Sequence, residues 1–168
     1  MGDCADCADC ADCADCTLFI RGDPGLALSV LALPAMSEQS ELLKARTMRF
    51  ALDACALLKH LPMLEPGPTV RRQLAKSSTG MAFNYRATCR ARSHDEFTAR
   101  IGVVAEEADE SQGWLEFIEA AKLIASKEVT RLFREATELS AIFSASVGTA
   151  RAKQKSGNKV HARVTNSQ

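Results

Sequence analysis

The sequence predicts an all-α protein: an antiparallel up-down four-helix bundle with disordered tails at both ends. Three observations lead there. Between residues 36 and 155, apolar residues recur at three-and-four spacing in four successive segments, the mark of one apolar helical face. Glycine and proline gather most densely in Arg21–Pro34 and Pro62–Pro68, leaving long stretches free for helix. Four helices of about 20 residues joined by short links pack as antiparallel neighbours, and no alternating strand pattern competes.

The first helix is expected from about Ser40 to His60, with Leu43, Phe50, Ala54, Leu57 and Leu61 on its apolar face and Pro62 as its stop. The link LPMLEPGP is turn-rich. Thr69 is the expected N-cap of a second helix reaching about Arg92, with Val70, Leu74, Ser78, Met81, Tyr85 and Cys89 along its stripe. Ser93 and Glu96 form an S-x-x-E capping box, so a third helix starts at His94. Its stripe is Phe97, Ile101, Val104, Ala108, Leu115, Ile118 and Lys122, to about Leu123, and it runs through Gly113. Ser126 caps a fourth helix carrying Val129, Leu132, Phe133, Ala136, Leu139, Ile142, Phe143 and Val147, which fades near Lys153.

The chain of 168 residues has 46% apolar and 25% charged residues, enough for one domain with a real core, and only 5% aromatics. Net charge is zero but polarised. Residues 1–35 carry six Asp and one Arg, whereas residues 151–168 carry five Lys or Arg and no acid. The domain organisation read from this is a Cys-Ala-Asp repeat and linker over 1–35, the bundle over 36–155, and a disordered basic tail over 156–168. A basic tail suits polyanion contact and equally suits a solvated tail. No apolar run approaches the ~20 residues of a membrane span. The N-terminal region is acidic and Cys-rich where a secretory signal is basic. A cytoplasmic location with reduced Cys55 and Cys89 is therefore expected.

Five of the seven cysteines lie in CADCADCADCADC, residues 4–16. Each neighbouring pair is formally C-x-x-C, but zinc sites set two such pairs across a folded loop. This unbroken repeat resembles a translated tandem DNA repeat, and Met36 is a candidate start for the bundle.

The densest local feature is Asn84–Phe97, NYRATCRARSHDEF. Arg86 and Arg90 lie one turn apart, and Arg72, Lys76, Thr79 and Phe83 continue their face upstream. With Arg71 and Arg92 these cations are the candidate nucleic-acid contacts, since phosphates are met by clustered Lys and Arg. The other reading pairs them with Glu106, Glu107, Asp109 and Glu110 on the antiparallel third helix. Trp114 and Phe117 fall off the main stripe and mark either a subunit interface, with Glu106 and Glu110 beside it, or a wide core face. A bundle di-metal site wants Glu-x-x-His from two helices, and no Glu here is followed by His at that spacing. No metal, cofactor or catalytic residues are assigned.

The stretch RQLAKSSTGMAFNYRATCRARSHDEFTARIGVVAEEADESQGWLE, residues 72–116, resembles the four-helix bundle family of 23S rRNA intervening-sequence proteins, which is related to the accessory proteins of diversity-generating retroelements. The carrying motifs are N-Y-R-A, R-A-R-S, E-F and E-E-A-D-E-S-x-x-W-L-E. The resemblance spans about Leu42 to Lys153 and is most specific between Asn84 and Glu116. Other members carry N-I-A-E-G after the Asn and G-S before the helix-three Glu. Here Tyr85-Arg-Ala-Thr88 and Glu106-Glu-Ala-Asp109 stand instead, which places the chain with one branch. The resemblance implies a bacterial, cytoplasmic, non-enzymatic bundle that assembles as a ring-like homo-oligomer, a pentamer. It also implies RNA or DNA as a partner and, through the retroelement relatives, a reverse-transcriptase-like protein.

Overall fold

A computed structural model describes the backbone of residues 36–165 and the side chains of residues 38–155. The Cys-Ala-Asp repeat and the linker to Ala35 lie outside the described residues. Four helices follow in order: α1 Met36–Leu57, extended by a 3-10 turn Leu58–His60; α2 Gly67–Thr88; α3 His94–Ala120; and α4 Lys127–Thr165. Each packs on the next in sequence, and α1 closes more thinly onto α4, which gives the expected antiparallel up-down bundle.

The core lies where the periodicity puts it. Phe50, Leu74, Met81, Ile101, Leu115, Leu139 and Phe143 are all 1% exposed or less. Full burial of such a side chain stabilises by about 1.5–3 kcal/mol. Tyr85 tilts against Phe143 with ring centroids 5.2 Å apart, joining α2 to α4. Several small hydroxyl residues share this core. Thr47, Ser77, Ser78, Thr88 and Ser111 are fully buried. Ser78 donates to the Leu74 carbonyl at 2.6 Å and Thr88 to the Asn84 carbonyl at 2.8 Å, so burial leaves neither hydroxyl unmade. Ser111 lies 2.8 Å from the Glu107 carbonyl and 2.9 Å from the Ser77 hydroxyl, which lets α2 and α3 approach closely at that level.

The helix ends depart from the sequence reading in five places, beginning with α1, which starts at Met36 and not at Ser40. α2 starts at Gly67 behind Pro66, with Pro68 in its first turn. Thr69 is therefore already helical rather than the cap. Proline suits a first turn because its missing N–H has no helical partner there. Gly67 is required by contact: a Cβ would stand 1.9 Å from the Pro62 carbonyl oxygen. At its other end α2 stops at Thr88, with the Ala91 N–H bonded to the Thr88 carbonyl, so Arg90 and Arg92 belong to the turn and not to the helix. α3 stops at Ala120, short of Leu123. Lys122 sits at φ 51°, the Leu123 N–H meets the Ile118 carbonyl at 3.1 Å and the Lys122 N–H meets the Glu119 carbonyl at 3.1 Å. That is a Schellman ending with lysine where glycine is usual, so Lys122 leaves the apolar stripe and is exposed.

The Ser93 cap forms as expected, accepting the Glu96 N–H at 3.1 Å. The return bond comes from the Arg92 N–H to Glu96 at 2.9 Å, one residue before the cap. Ser126 accepts the Glu128 N–H at 3.2 Å. α4 does not fade near Lys153 but stays helical to Thr165. Its Arg, Ala, Lys and Gln residues are good helix formers, and elongation adds one hydrogen bond per residue.

The α1–α4 seam is bridged by charge. Arg46 grips Glu135 with two bonds of 2.6 and 3.0 Å and reaches Glu138 at 2.5 Å. Arg131 binds Asp53 at 2.9 Å. No described helix is long and apolar enough to cross a membrane.

Candidate nucleic-acid interface

The outer face of α2 is a row with three-and-four spacing: Arg72, Lys76, Thr79, Phe83 and Arg86. At 1.5 Å per residue it runs roughly 21 Å from Arg72 to Arg86. Arg90 follows from the turn. Arg72, Lys76, Arg86 and Arg90 are exposed, and Phe83 in their midst is 60% exposed. An exposed aromatic among cations offers a stacking surface beside phosphate contacts.

Among the described residues none of the ion pairs engages Arg72, Lys76, Arg86 or Arg90. Arg72 donates only to the Thr69 hydroxyl, at 3.1 Å. Arg92 stands 3.7 Å from Glu96, yet its side chain is 89% exposed. Glu96 itself is held below the ordinary carboxylate value, first by the Arg92 backbone N–H and then by the Arg100 guanidinium.

Arg71 does not belong to the row. Its guanidinium turns back onto the α1–α2 link, donating to the carbonyls of Leu61 and Pro62 and to the Met63 sulfur. Its Nε is buried without a partner. Arg71 is a clamp on the link, and its neighbour Arg72 is the one that stays on the exposed face. Sequence alone ranks the two adjacent arginines alike; only the helix phase, one residue in 3.6, separates them.

The acidic turn of α3 does not meet the arginines. The Ser77–Ser111 contact fixes the register, and Glu107 lies over Gly80, where a Cβ would be 2.7 Å from its carboxyl carbon. Arg86 is thus more than a turn further along. Glu107 Oε2 is buried with no partner. Burial pushes the Glu107 carboxyl above its ordinary value and neighbouring Glu110 and Glu106 add to this, while Lys76 pulls it back. Trp114 packs partly against the core and donates its indole N–H to Glu110 at 3.3 Å. Phe117 meets Trp114 edge-on at 5.9 Å and stays 41% exposed. The two readings of this aromatic pair therefore divide, Trp114 to the core margin and Phe117 to the surface.

The α1–α4 ion pairs were not legible beforehand, because they join residues far apart in the chain and no local spacing marks them. An open groove along α4 is lined by Lys127, Arg131, Arg134, Glu135 and Glu138. Arg131, Glu135 and Glu138 in it are already held by ion pairs. Among the described residues no group of His, Cys, Asp and Glu has the arrangement of a metal site.

Fold and face define the class: an antiparallel four-helix bundle with an exposed basic row. Among solved structures the chain is similar to a protein of unknown function from the S23 ribosomal protein family of Bacteroides thetaiotaomicron VPI-5482, with 20% identity and a TM-score of 0.55. The match covers 62% of this chain and 97% of that one, and at this identity it is a likeness of fold. No protein-family model matches the chain, and no curated protein matches it in sequence.

Proposed function

We propose that this bundle is a non-enzymatic, self-assembling scaffold that binds structured RNA through the outer face of α2 and the α2–α3 turn. The observation that carries it is the basic row itself: Arg72, Lys76, Arg86 and Arg90 are exposed and none takes part in an ion pair among the described residues, although Lys76 lies close enough to act on Glu107. Arg92, Arg151, Lys153 and Lys155 are exposed cations near the same end of the bundle, where α4 passes the start of α3. A ring of copies, five as the family resemblance implies, would repeat the row and multiply its hold on one polyanion. A reverse-transcriptase-like protein is the second partner that the resemblance implies.

The test is electrophoretic or anisotropy binding to a structured RNA hairpin at 50 and 200 mM salt. Four phosphate contacts predict a loss of about 10²-fold across that range, and R86E/R90E should weaken binding by 10-fold or more at the lower salt. Absence of binding at 50 mM, or affinity indifferent to salt, contradicts the RNA reading. It would favour a purely structural or protein-binding module whose arginines meet acids of another subunit.

A further inference from the structure

Helices α1 and α3 each carry an exposed row that the described residues leave uncovered. On α1 it is Leu42, Ala45, Arg49, Leu52 and Ala56; on α3 it is Val103, Glu106, Glu110, Gly113 and Phe117, with only Glu110 half-buried. Both rows keep three-four-three-four spacing, which sets their members on one stripe as in a coiled-coil seam. Each stripe has apolar ends and a charged middle. Leu42 and Leu52 are 62% and 61% exposed, and Val103 and Phe117 are 42% and 41%. Arg49 lies between the first pair, Glu106 and Glu110 between the second. Neither Arg49 nor Glu106 takes part in an ion pair among the described residues.

The lateral contacts set the heights. Asp53 binds Arg131, and the preceding residue of α4, Thr130, bonds to Glu119 at 3.3 Å, so Leu52 stands level with the Phe117 turn. Arg46 is level with Glu135 and Glu138 of α4. That part of α4 lies between its contacts to Glu119 and to His94, beside the middle of α3. The two rows therefore match in height to within about one helical turn, 5.4 Å. In an up-down bundle α1 and α3 also point the same way.

Gly113 is the sharpest sign. A glycine inside a helix costs about 1 kcal/mol relative to alanine. A Cβ built on Gly113 would meet nothing within 4 Å, so no neighbour in the chain demands its absence. Gly113 leaves a gap on the α3 row between Glu110 and Phe117, about one turn from the height at which α1 presents Leu52.

We infer that the α3 row of one copy docks on the α1 row of the next, parallel and slid by about one helical turn, with Leu52 entering the hole at Gly113 and Arg49 meeting Glu110 and, a turn further on, Glu106. This rests on the self-assembly reading above and names its contact. The occupant is a second copy because both complementary halves, apolar to apolar and cation to carboxylates, stand on one chain. The contact is head-to-tail, so every copy offers one of each face and the assembly propagates, closing into a ring where the rotation permits. It leaves the basic row of α2 outside the interface.

The full chain is tested by light scattering after gel filtration, with circular dichroism as the check on folding. Wild type should run at several times 18.2 kDa. R49E and E106K/E110K should each fall to near-monomer mass with helicity kept, and R49E/E106K/E110K, which restores opposite charges, should regain the wild-type mass. G113L should block assembly by filling the hole without lowering the thermal midpoint of the monomer. An assembled wild type whose mass is indifferent to R49E, or a triple variant as dissociated as its parents, overturns this contact and leaves self-assembly standing. A wild type at 18.2 kDa overturns self-assembly itself.

Discussion

Among the described residues Glu107 and Arg71 are the two side chains with a polar atom buried and unpaired, and each makes a prediction. The Glu107 carboxyl is raised above its ordinary value of 4.5, burial being the first cause and Glu110 the next. The folded state thus holds this proton more tightly than the unfolded state. The contribution of Glu107 to stability is greatest below pH 4.5, falls as pH rises from there through the raised folded value, and is a constant deficit above it. E107Q should erase that decline and stabilise the neutral protein by about 1 kcal/mol, some 2–4 °C in midpoint. Melting curves from pH 4 to 8 check it; identical profiles for wild type and E107Q would contradict it. R71A should lower the midpoint through the loosened link yet leave RNA affinity within about twofold, since its guanidinium faces protein carbonyls. At this scale the sequence was least legible. It shows which residues are cations, but not that Arg71 turns inward while Arg72 turns outward.

Helix starts were more readable than helix stops. Ser93 and Glu96 announce the start of α3 because a capping side chain must sit at a fixed offset from the amides it serves. S93A should cost about 1 kcal/mol. The end of α3 was misread because its signal, a glycine after the last turn, is absent. Lys122 takes that left-handed position instead, where a Cβ costs about 1–2 kcal/mol. K122G should therefore raise stability by up to about 1 kcal/mol in thermal or urea unfolding, and a loss would show that the lysine makes a contact worth more than its strain. The start of α2 was misplaced by three residues because Pro66, Gly67 and Pro68 read as breakers, although proline inside a first helical turn is well tolerated.

At the scale of the molecule, the architecture was written in the sequence and the register was not. Four periodic segments with short links admit little besides an up-down bundle, and most residues of the stripes named from spacing are buried, with Leu43, Cys89, Phe133 and Ile142 half-buried and Lys122 exposed. How far each helix slides along its neighbour depends on contacts such as Ser77 with Ser111 and Arg46 with Glu135. One turn of slide would have set the acidic stretch of α3 nearer Arg86. The register observed sets it over Gly80, keeps Arg72, Arg86 and Arg90 out of ion pairs with α3 among the described residues, and brings the α3 row to within about one turn of that of α1. Self-assembly is the claim on which these surfaces depend, and the native mass of the purified full chain at micromolar concentration tests it most directly. A discrete species several times 18.2 kDa, independent of salt up to moderate ionic strength, is the predicted result; a single species of 18.2 kDa would contradict it.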